Sequence, residues 1–470
     1  MKGIEIIMSN KKTPVKDSFN ADLVWLLYAL VTLIYGTVLA FIEHGSGAAT
    51  VIINGLRTIV TGPAVLTHDY FAMAGIGPAF INSALAGLLV IGAFKIAKLP
   101  IGSAQMGVLG LVMGFAFLGK NPVNMFPILA GGYVYALYKK EPYKNTVTMA
   151  GFATCLAPAV SQPAHTPQIV EAIGVPGAVI MGFLLGIMFG FVINSMAVFI
   201  RKSHEGLNLY NVGWGAGLIS IALAAAYNTV GLERFGPGTA ISGGISIASV
   251  YGDAAYCTPQ LNLFLVLTGV FFVTMGFLAG GLGTHSVSDL LFMKADDNAF
   301  YVKYGKGPTY LAMGILSLLA LSLSLIFKVQ LSAPIMGAII SMVGWGGFGK
   351  AISNCVTIIT GVVLAGLVRY FLAPAFYSNG VTIAAYLSSQ AVIWSSAFWG
   401  TCLSPMVKYF GWKWGIIVGM VHFTFASYIS TFHWGMNLYN NGLAAGFVCV
   451  VMIPFIRSFD RTGKYPPRNV

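Results

Sequence analysis

Two lysines stand among apolar residues, where a charge needs a reason. Lys120 lies in Gly119-Lys120-Asn121-Pro122-Val123-Asn124, and Lys350 in Gly349-Lys350-Ala351-Ile352-Ser353-Asn354. The apolar segments flanking the first, 101–118 and 122–138, are each about 25 Å long at 1.5 Å per residue. Segments that short form either two thin crossings or a re-entrant hairpin with Gly-Lys at its tip. In the hairpin, Asn121 is an N-cap and Pro122 the first helical residue. The N–H groups of that helix start and the lysine ammonium then make an anion-binding pole inside the membrane. Asn124 and Asn354 would face the same solute. The second copy keeps Lys350 and Asn354 but has Ala351-Ile352 in place of Asn-Pro, so it should be the weaker pole. A competing reading makes each lysine an interfacial anchor whose ammonium snorkels to the headgroups.

Two further motifs occur twice. Gly-x-Asn-Leu-Tyr-Asn brings Asn208, Tyr210 and Asn211, then Asn437, Tyr439 and Asn440, each set opening an apolar, glycine-spaced helix. An amide offers donors and an acceptor together, which suits a small polar solute. The alternative is an ordinary N-cap ahead of a small-residue packing face. Thr-Cys-Leu-x-Pro brings Thr154 and Pro158, then Thr401 and Pro405. Proline breaks a helix and a threonine hydroxyl can satisfy the freed backbone groups, so a discontinuous helix beside a cavity is expected. A plain helix end followed by a loop is the other reading. Asp253 is the one acidic residue in a small-residue, apolar stretch, and is a candidate for a coupling Na⁺ or H⁺; a loop carboxylate is its simpler role.

Catalysis finds no support. Walker A, Ser-His-Asp ordering and HExxH are absent, and the acidic residues sit mostly in loops and tails. The five cysteines show no CxxC, so neither a metal site nor any cofactor is expected.

The elements that position these motifs follow from composition. The 470 residues are 57% hydrophobic and 9% charged, with mean hydropathy +0.80. Soluble proteins carry roughly 25% charged residues, so a soluble enzyme is excluded. Net charge is +12, but the basic residues cluster between apolar runs (139–144, 201–202, 294–306, 457–468) as cytoplasmic loops do. There is no basic stripe with interleaved aromatics, hence no nucleic-acid partner. The first apolar run, 23–42, is too long for a signal-peptide core and reads as a retained span.

The chain is written twice. A shift of 230 residues aligns Gly75, Gly77 and Pro78 with Gly305, Gly307 and Pro308, then Lys98 with Lys328, Gly114 with Gly344, Lys120 with Lys350 and Asn124 with Asn354. The expected architecture is all-α: a polytopic membrane protein of about 14 segments, some re-entrant. Seven fall in each repeat: 22–43, 74–97, 101–118, 122–138, 146–161, 174–200 and 207–230, then 261–283, 308–327, 332–348, 352–369, 382–402, 414–431 and 435–456. Residues 1–21 form a cytoplasmic tail, 22–230 repeat 1, 231–260 a linker or extra hairpin, 261–456 repeat 2, and 457–470 a basic cytoplasmic tail. An odd number per repeat requires inverted topology. Charge agrees: with both termini inside, 21 of the 26 basic residues fall on the inner side and 5 (Arg57, Lys120, Arg234, Lys328, Arg369) outside.

The paired Gly-Lys…Asn, Thr-Cys-Leu-x-Pro and Gly-x-Asn-Leu-Tyr-Asn motifs resemble those of a family of multi-spanning microbial membrane proteins catalogued as a duplicated domain of unknown function. That resemblance covers most of the chain and implies no substrate. Locally, Asn121-Pro122 and Gly206-Leu207-Asn208-Leu209-Tyr210-Asn211 are also similar to urea-transporter segments, although the Leu-Pro-x-x-Thr-x-Pro-Phe motif is missing and the chain is longer. The expected function is transport of a small polar or anionic solute bound between inverted repeats near the midplane of an inner or plasma membrane, coupled to Na⁺ or H⁺. A passive urea-transporter-like channel and a non-transporting scaffold or subunit are the alternatives. A homo-oligomer is left open.

Overall fold

A chain this apolar must satisfy its backbone within each segment, and helices do so. The computed structural model describes residues 20–66, 68–232, 258–292 and 300–468. The first repeat holds α1 (Ala21–His44), α2 (Ala48–Thr61), α3 (Tyr70–Ala74), α4 (Ile76–Ile96), α5 (Ser103–Phe115) and α6 (Pro122–Lys139). It continues through α7 (Val147–Ala153), α8 (Ala157–Ser161), α9 (Pro167–Ser203) and α10 (Asn211–Thr229). The second holds α11 (Thr258–Leu278), α12 (Val287–Leu291), α13 (Phe300–Tyr304), α14 (Lys306–Ile326), α15 (Ala333–Gly344) and α16 (Ile352–Leu372). After it come α17 (Pro374–Tyr377), α18 (Ile383–Ser389), α19 (Ala391–Gly400), α20 (Ser404–Phe410), α21 (Trp412–Tyr428) and α22 (Asn440–Ser458). Among the described residues there is no strand, and eight stretches are long and apolar enough to cross a membrane.

Each of the 14 expected segments is helical, but they are not 14 equal crossings. With 13 and 12 residues, α5 and α15 are too short for a hydrocarbon core of about 30 Å. They are instead buried almost all round: every residue of α5 but Ala104, and all of α15. Segments 146–161 and 382–402 are broken into short helices.

Equivalent helices of the two repeats face each other antiparallel. In α1 and α11, Trp25 meets Phe272 with ring centroids 5.5 Å apart, while Tyr35 meets Phe264 at 5.1 Å. In α5 and α15, a Cβ on Gly110 would lie 2.6 Å from the Gly344 Cα, and one on Gly114 only 2.4 Å from the Gly337 carbonyl oxygen. Only glycine permits that backbone approach. Rising residue numbers on one helix meet falling numbers on its equivalent, so the relating axis runs across the long helices. That is the inverted arrangement. Backbone detail is duplicated too: Lys98 and Lys328 share positive φ (55° and 50°), as do Glu205-Gly206 (52°, 69°) and Trp434-Gly435 (54°, 76°).

Candidate functional site

The two lysines lie at the junction of the repeats. Neither is an interfacial anchor: both are fully buried. The snorkelling alternative fails because each ammonium is held by side chains of the interior, and neither lysine belongs in a count of loop charges. Without them the inner-to-outer balance expected from the sequence becomes 20 to 4.

The two cages are built alike. Lys120 Nζ donates to Thr154 Oγ1 at 2.9 Å and to Tyr439 OH at 2.9 Å. Lys350 Nζ donates to Thr401 Oγ1 at 2.8 Å and to Tyr210 OH at 3.1 Å. Each threonine comes from the lysine's own repeat and each tyrosine from the other. The ammonium groups also lie over those tyrosine rings, 4.6 and 4.7 Å from the centroids. Among the described residues no carboxylate lies within ion-pair distance of either lysine. Of three N–H donors on each ammonium, the described residues take two.

The motifs explain how this is held. Thr154 and Thr401 open 3₁₀ turns (Thr154–Leu156, Thr401–Leu403) followed at once by α8 and α20, with Pro158 and Pro405 in their first turns. Each threonine hydroxyl donates back to a carbonyl, of Gly151 at 2.7 Å and Phe398 at 2.6 Å, and its remaining lone pair accepts the lysine. The helix break and the lysine contact are therefore one device.

Asn208 Oδ1 accepts from Tyr210 N at 2.9 Å, while its Nδ2 donates across to Gly442 O at 2.9 Å. Asn437 mirrors this with Tyr439 N at 3.0 Å and Gly213 O at 3.3 Å. These amides lock each tyrosine loop to the opposite repeat. Asn211 Oδ1 meets His204 Nε2 at 2.7 Å, and Asn440 Oδ1 meets His433 Nε2 at 3.0 Å. The Nδ1 atoms of both histidines accept backbone N–H groups, so Nε2 carries the proton in each.

The asparagines beside the lysines are committed to the backbone. Asn121 Oδ1 accepts from Val123 N and Asn124 N, both at 3.0 Å. The first copy therefore does not present the expected pole of open helix-start N–H groups; its own cap occupies two of them. Asn124 Oδ1 accepts from Asn121 N, and its Nδ2 donates to Gly119 O. Asn354 repeats both bonds with Ala351 N and Gly349 O. These residues shape the lysine turns. Asp253 lies outside the described residues.

A cleft of about 400 Å³ reaches this junction from the first repeat, lined by residues of α5, α7, α9 and α10 and by Trp345 and Phe348 of the second. Tyr210 and Tyr439, which hold the two lysines, both form part of its wall.

Sequence reasoning missed four participants. Arg201 and Trp345 line the cleft. Asn82 Nδ2 donates to Ala116 O and Lys120 O, bracing the first lysine turn. Asp69, fully buried, caps α3 through Phe71 N and Ala72 N and accepts from Ala333 N at the start of α15, tying the repeats together. An aspartate directly ahead of Tyr70-Phe71-Ala72 was a readable N-cap signal.

The family model described as "Protein of unknown function (DUF1576)" matches residues 48–229 and again 284–458. No curated protein and no solved structure matches the chain, and the local similarity to urea transporters gains no support from them. The two matches share one model and cover most of the chain between them, as the repeated cages would lead one to expect. The chain belongs to the DUF1576 family, carrying that family's domain in two copies.

Proposed function

We propose that this protein is a non-enzymatic membrane carrier for a small polar or anionic solute, which binds between the inverted repeats and meets Lys120 and Lys350. One observation carries the reading: two buried ammonium groups, uncompensated by any described carboxylate, each held by a tyrosine of the opposite repeat. Desolvating a charge costs several kcal/mol unless it is paired, and a bound anion or strong acceptor would offset that cost. The cages span both repeats, so rocking one repeat against the other would remake the lysine contacts. That couples solute binding to a change of access. Burial of both lysines favours a carrier over an open passive channel. Coupling to Na⁺ or H⁺, residence in the inner or plasma membrane and cytoplasmic termini belong to the same reading.

The test is solute flux into proteoliposomes holding the purified full chain, across radiolabelled carboxylates, inorganic oxyanions and amides at imposed Na⁺ and pH gradients. Saturable uptake is expected, falling about tenfold or more in Lys120→Met and Lys350→Met, since each loses a charge-assisted contact. Uptake unchanged in both variants, or absent for the whole panel, would overturn the reading.

A further inference from the structure

The second repeat departs from its twin at three buried positions that touch one another. Gly190 and Gly419 fix the register of α9 against α21, because a Cβ on either would strike the equivalent carbonyl, of Ile128 or Ile358. Three residues further on stand Ile193 and His422. The repeated Thr-Cys-Leu motif pairs Ala153 with Gly400, and the Asn-Leu-Tyr-Asn motif pairs Val212 with Asn441. All six residues are buried. In the second repeat His422 Nε2 meets Asn441 Oδ1 at 3.0 Å. A Cβ on Gly400 would stand 2.7 Å from His422 Cδ2, so the glycine clears the space that the imidazole fills. The apolar trio of the first repeat shows that the fold needs no polar group here. Inside a membrane a histidine and an amide are costly, and an ionisable residue at such depth marks a proton or ion path.

The imidazole keeps one atom in reserve. An amide oxygen only accepts, so Nε2 carries the hydrogen and Nδ1 is a lone pair. That Nδ1 is buried and has no hydrogen-bond partner. The residue after Gly400 is Thr401, whose hydroxyl takes the Lys350 ammonium. The other titratable groups turned inward around α21 are Cys355 of α16, Cys402 of the Thr401 turn, Cys449 of α22 and His433. Arg369, Lys408 and Arg457 stand in the last turns of α16, α20 and α22, and Lys413 in the first turn of α21 itself. His422 bonds to none of them. A proton on Nδ1 would set a second cation beside the Lys350 cage. An anion bound at the cage favours that cation, and by linkage the proton favours the anion equally.

We propose that His422 Nδ1 binds the proton that this protein moves together with its solute. A proton from water joins the Nδ1 lone pair, leaving a hydrogen on each ring nitrogen, and later leaves from the same atom; no other bond forms or breaks. Asn441 and Gly400 are positioning residues. The proposal rests on the carrier reading and selects H⁺ over Na⁺ as its coupling ion.

The test uses proteoliposomes of the purified full chain with the membrane potential clamped to zero. Radiolabelled succinate, sulfate and phosphate are the probes, urea is the uncharged control and protein-free vesicles are the blank. One proton per solute turns an inward pH gradient of about one unit into about tenfold accumulation. Exchange of the same solute at equal pH reads binding and transport without the proton. Two variants separate these readouts. The triple change Gly400→Ala, His422→Ile and Asn441→Val installs the trio that the first repeat already packs. His422→Gln keeps a donor for Asn441 and cannot titrate. Both should retain exchange and lose the accumulation. Accumulation that survives either change overturns the proposal, as does wild-type flux indifferent to the pH gradient, which leaves the carrier standing. Loss of exchange in both variants would make the pair structural and overturn it too. No flux of any probe removes the carrier reading and this assignment with it.

Discussion

The Asn208–Tyr210 loop and the Asn437–Tyr439 loop make the same internal bonds in different surroundings. In the second repeat Ser430, His433, Asn437 and Asn440 are all buried. The chain after α2 closes over them: Leu66 N donates to Gly435 O at 3.2 Å, and a Cβ on Gly435 would touch Val65. In the first repeat Arg201 and Asn211 are half-exposed and the cleft opens beside them. There the neighbour is the C-terminal tail. Arg457 Nη1 meets Glu205 Oε1 at 2.6 Å, and Arg468 N donates to Glu205 Oε2 at 3.0 Å, one residue from the cleft-lining His204. Two loops with one bonding plan, one accessible and one covered, differ in what lies over them and not in how they are made. For a carrier, that is the asymmetry of a single captured state.

The comparison breaks most visibly at the lysines. If the cages are equivalent, Lys120→Met and Lys350→Met each lower flux by about 10- to 100-fold, the loss expected for one or two charge-assisted contacts. The double variant then has none. A large effect from one lysine alone would make one cage structural, and the flux assay reads this directly.

Next in size is the α5–α15 contact. Gly114→Val and Gly337→Val each drive a side chain into the opposite backbone, where the Cβ clearances are 2.4 and 2.6 Å. Each should cost about 1–3 kcal/mol or prevent assembly. Similar falls in the thermal midpoint of detergent-solubilised protein would confirm a symmetric interface, whereas an effect at only one position would deny it.

Accessibility sharpens the contrast between the loops. Asn211→Cys should react with a small membrane-permeant maleimide at least about tenfold faster than Asn440→Cys, because a covered thiol must wait for opening. With Cys257, outside the described residues, changed to serine, the buried Cys155, Cys355, Cys402 and Cys449 set a low background. Faster reaction on adding substrate at position 440, with slower reaction at 211, would show the two loops exchanging surroundings. Equal rates throughout would remove the asymmetry.

The smallest effect concerns the tail. The hydrogen bond from Arg457 holds the Glu205 carboxyl below the usual carboxylate range. A depressed carboxylate contributes stability above its unfolded value, near pH 4.3, and loses it as pH falls through the lower folded value. Acid should therefore loosen the tail only below about pH 4, and Glu205→Gln should abolish that dependence. The pair is half-buried at the edge of the protein, with both side chains 20% exposed, so the loss is about 1 kcal/mol. Limited proteolysis after α22, followed against pH, measures it.

Much of this was legible in the sequence because duplication doubles a weak signal. One buried lysine is ambiguous, but two lysines 230 residues apart, each followed four residues later by asparagine, define a recurring turn. The helix breaks at Thr154 and Thr401 were readable from Thr and Pro together. Less legible was which end of a polar side chain would be left over. Asn124 and Asn354 read as solute-facing, yet backbone groups take both ends of each amide. Nothing local marked Asp69 as a tie between the repeats, because its third partner, Ala333, lies 264 residues away. Nothing in the sequence set Trp345 apart; only the fold brings it into the lining of the same cleft as Tyr210 and Tyr439.

The sequence by itself determined that the chain lives in a bilayer, that it is two copies of one helical unit, and which polar residues break its apolar runs. Those properties rest on local composition and on periodicity. Tertiary structure alone decided that each lysine would reach the tyrosine of the other copy, and that only one of two matched loops would lie open. Both depend on contacts between residues more than a hundred positions apart, and no local propensity or motif spacing encodes where a second copy of the same helices will come to rest against the first.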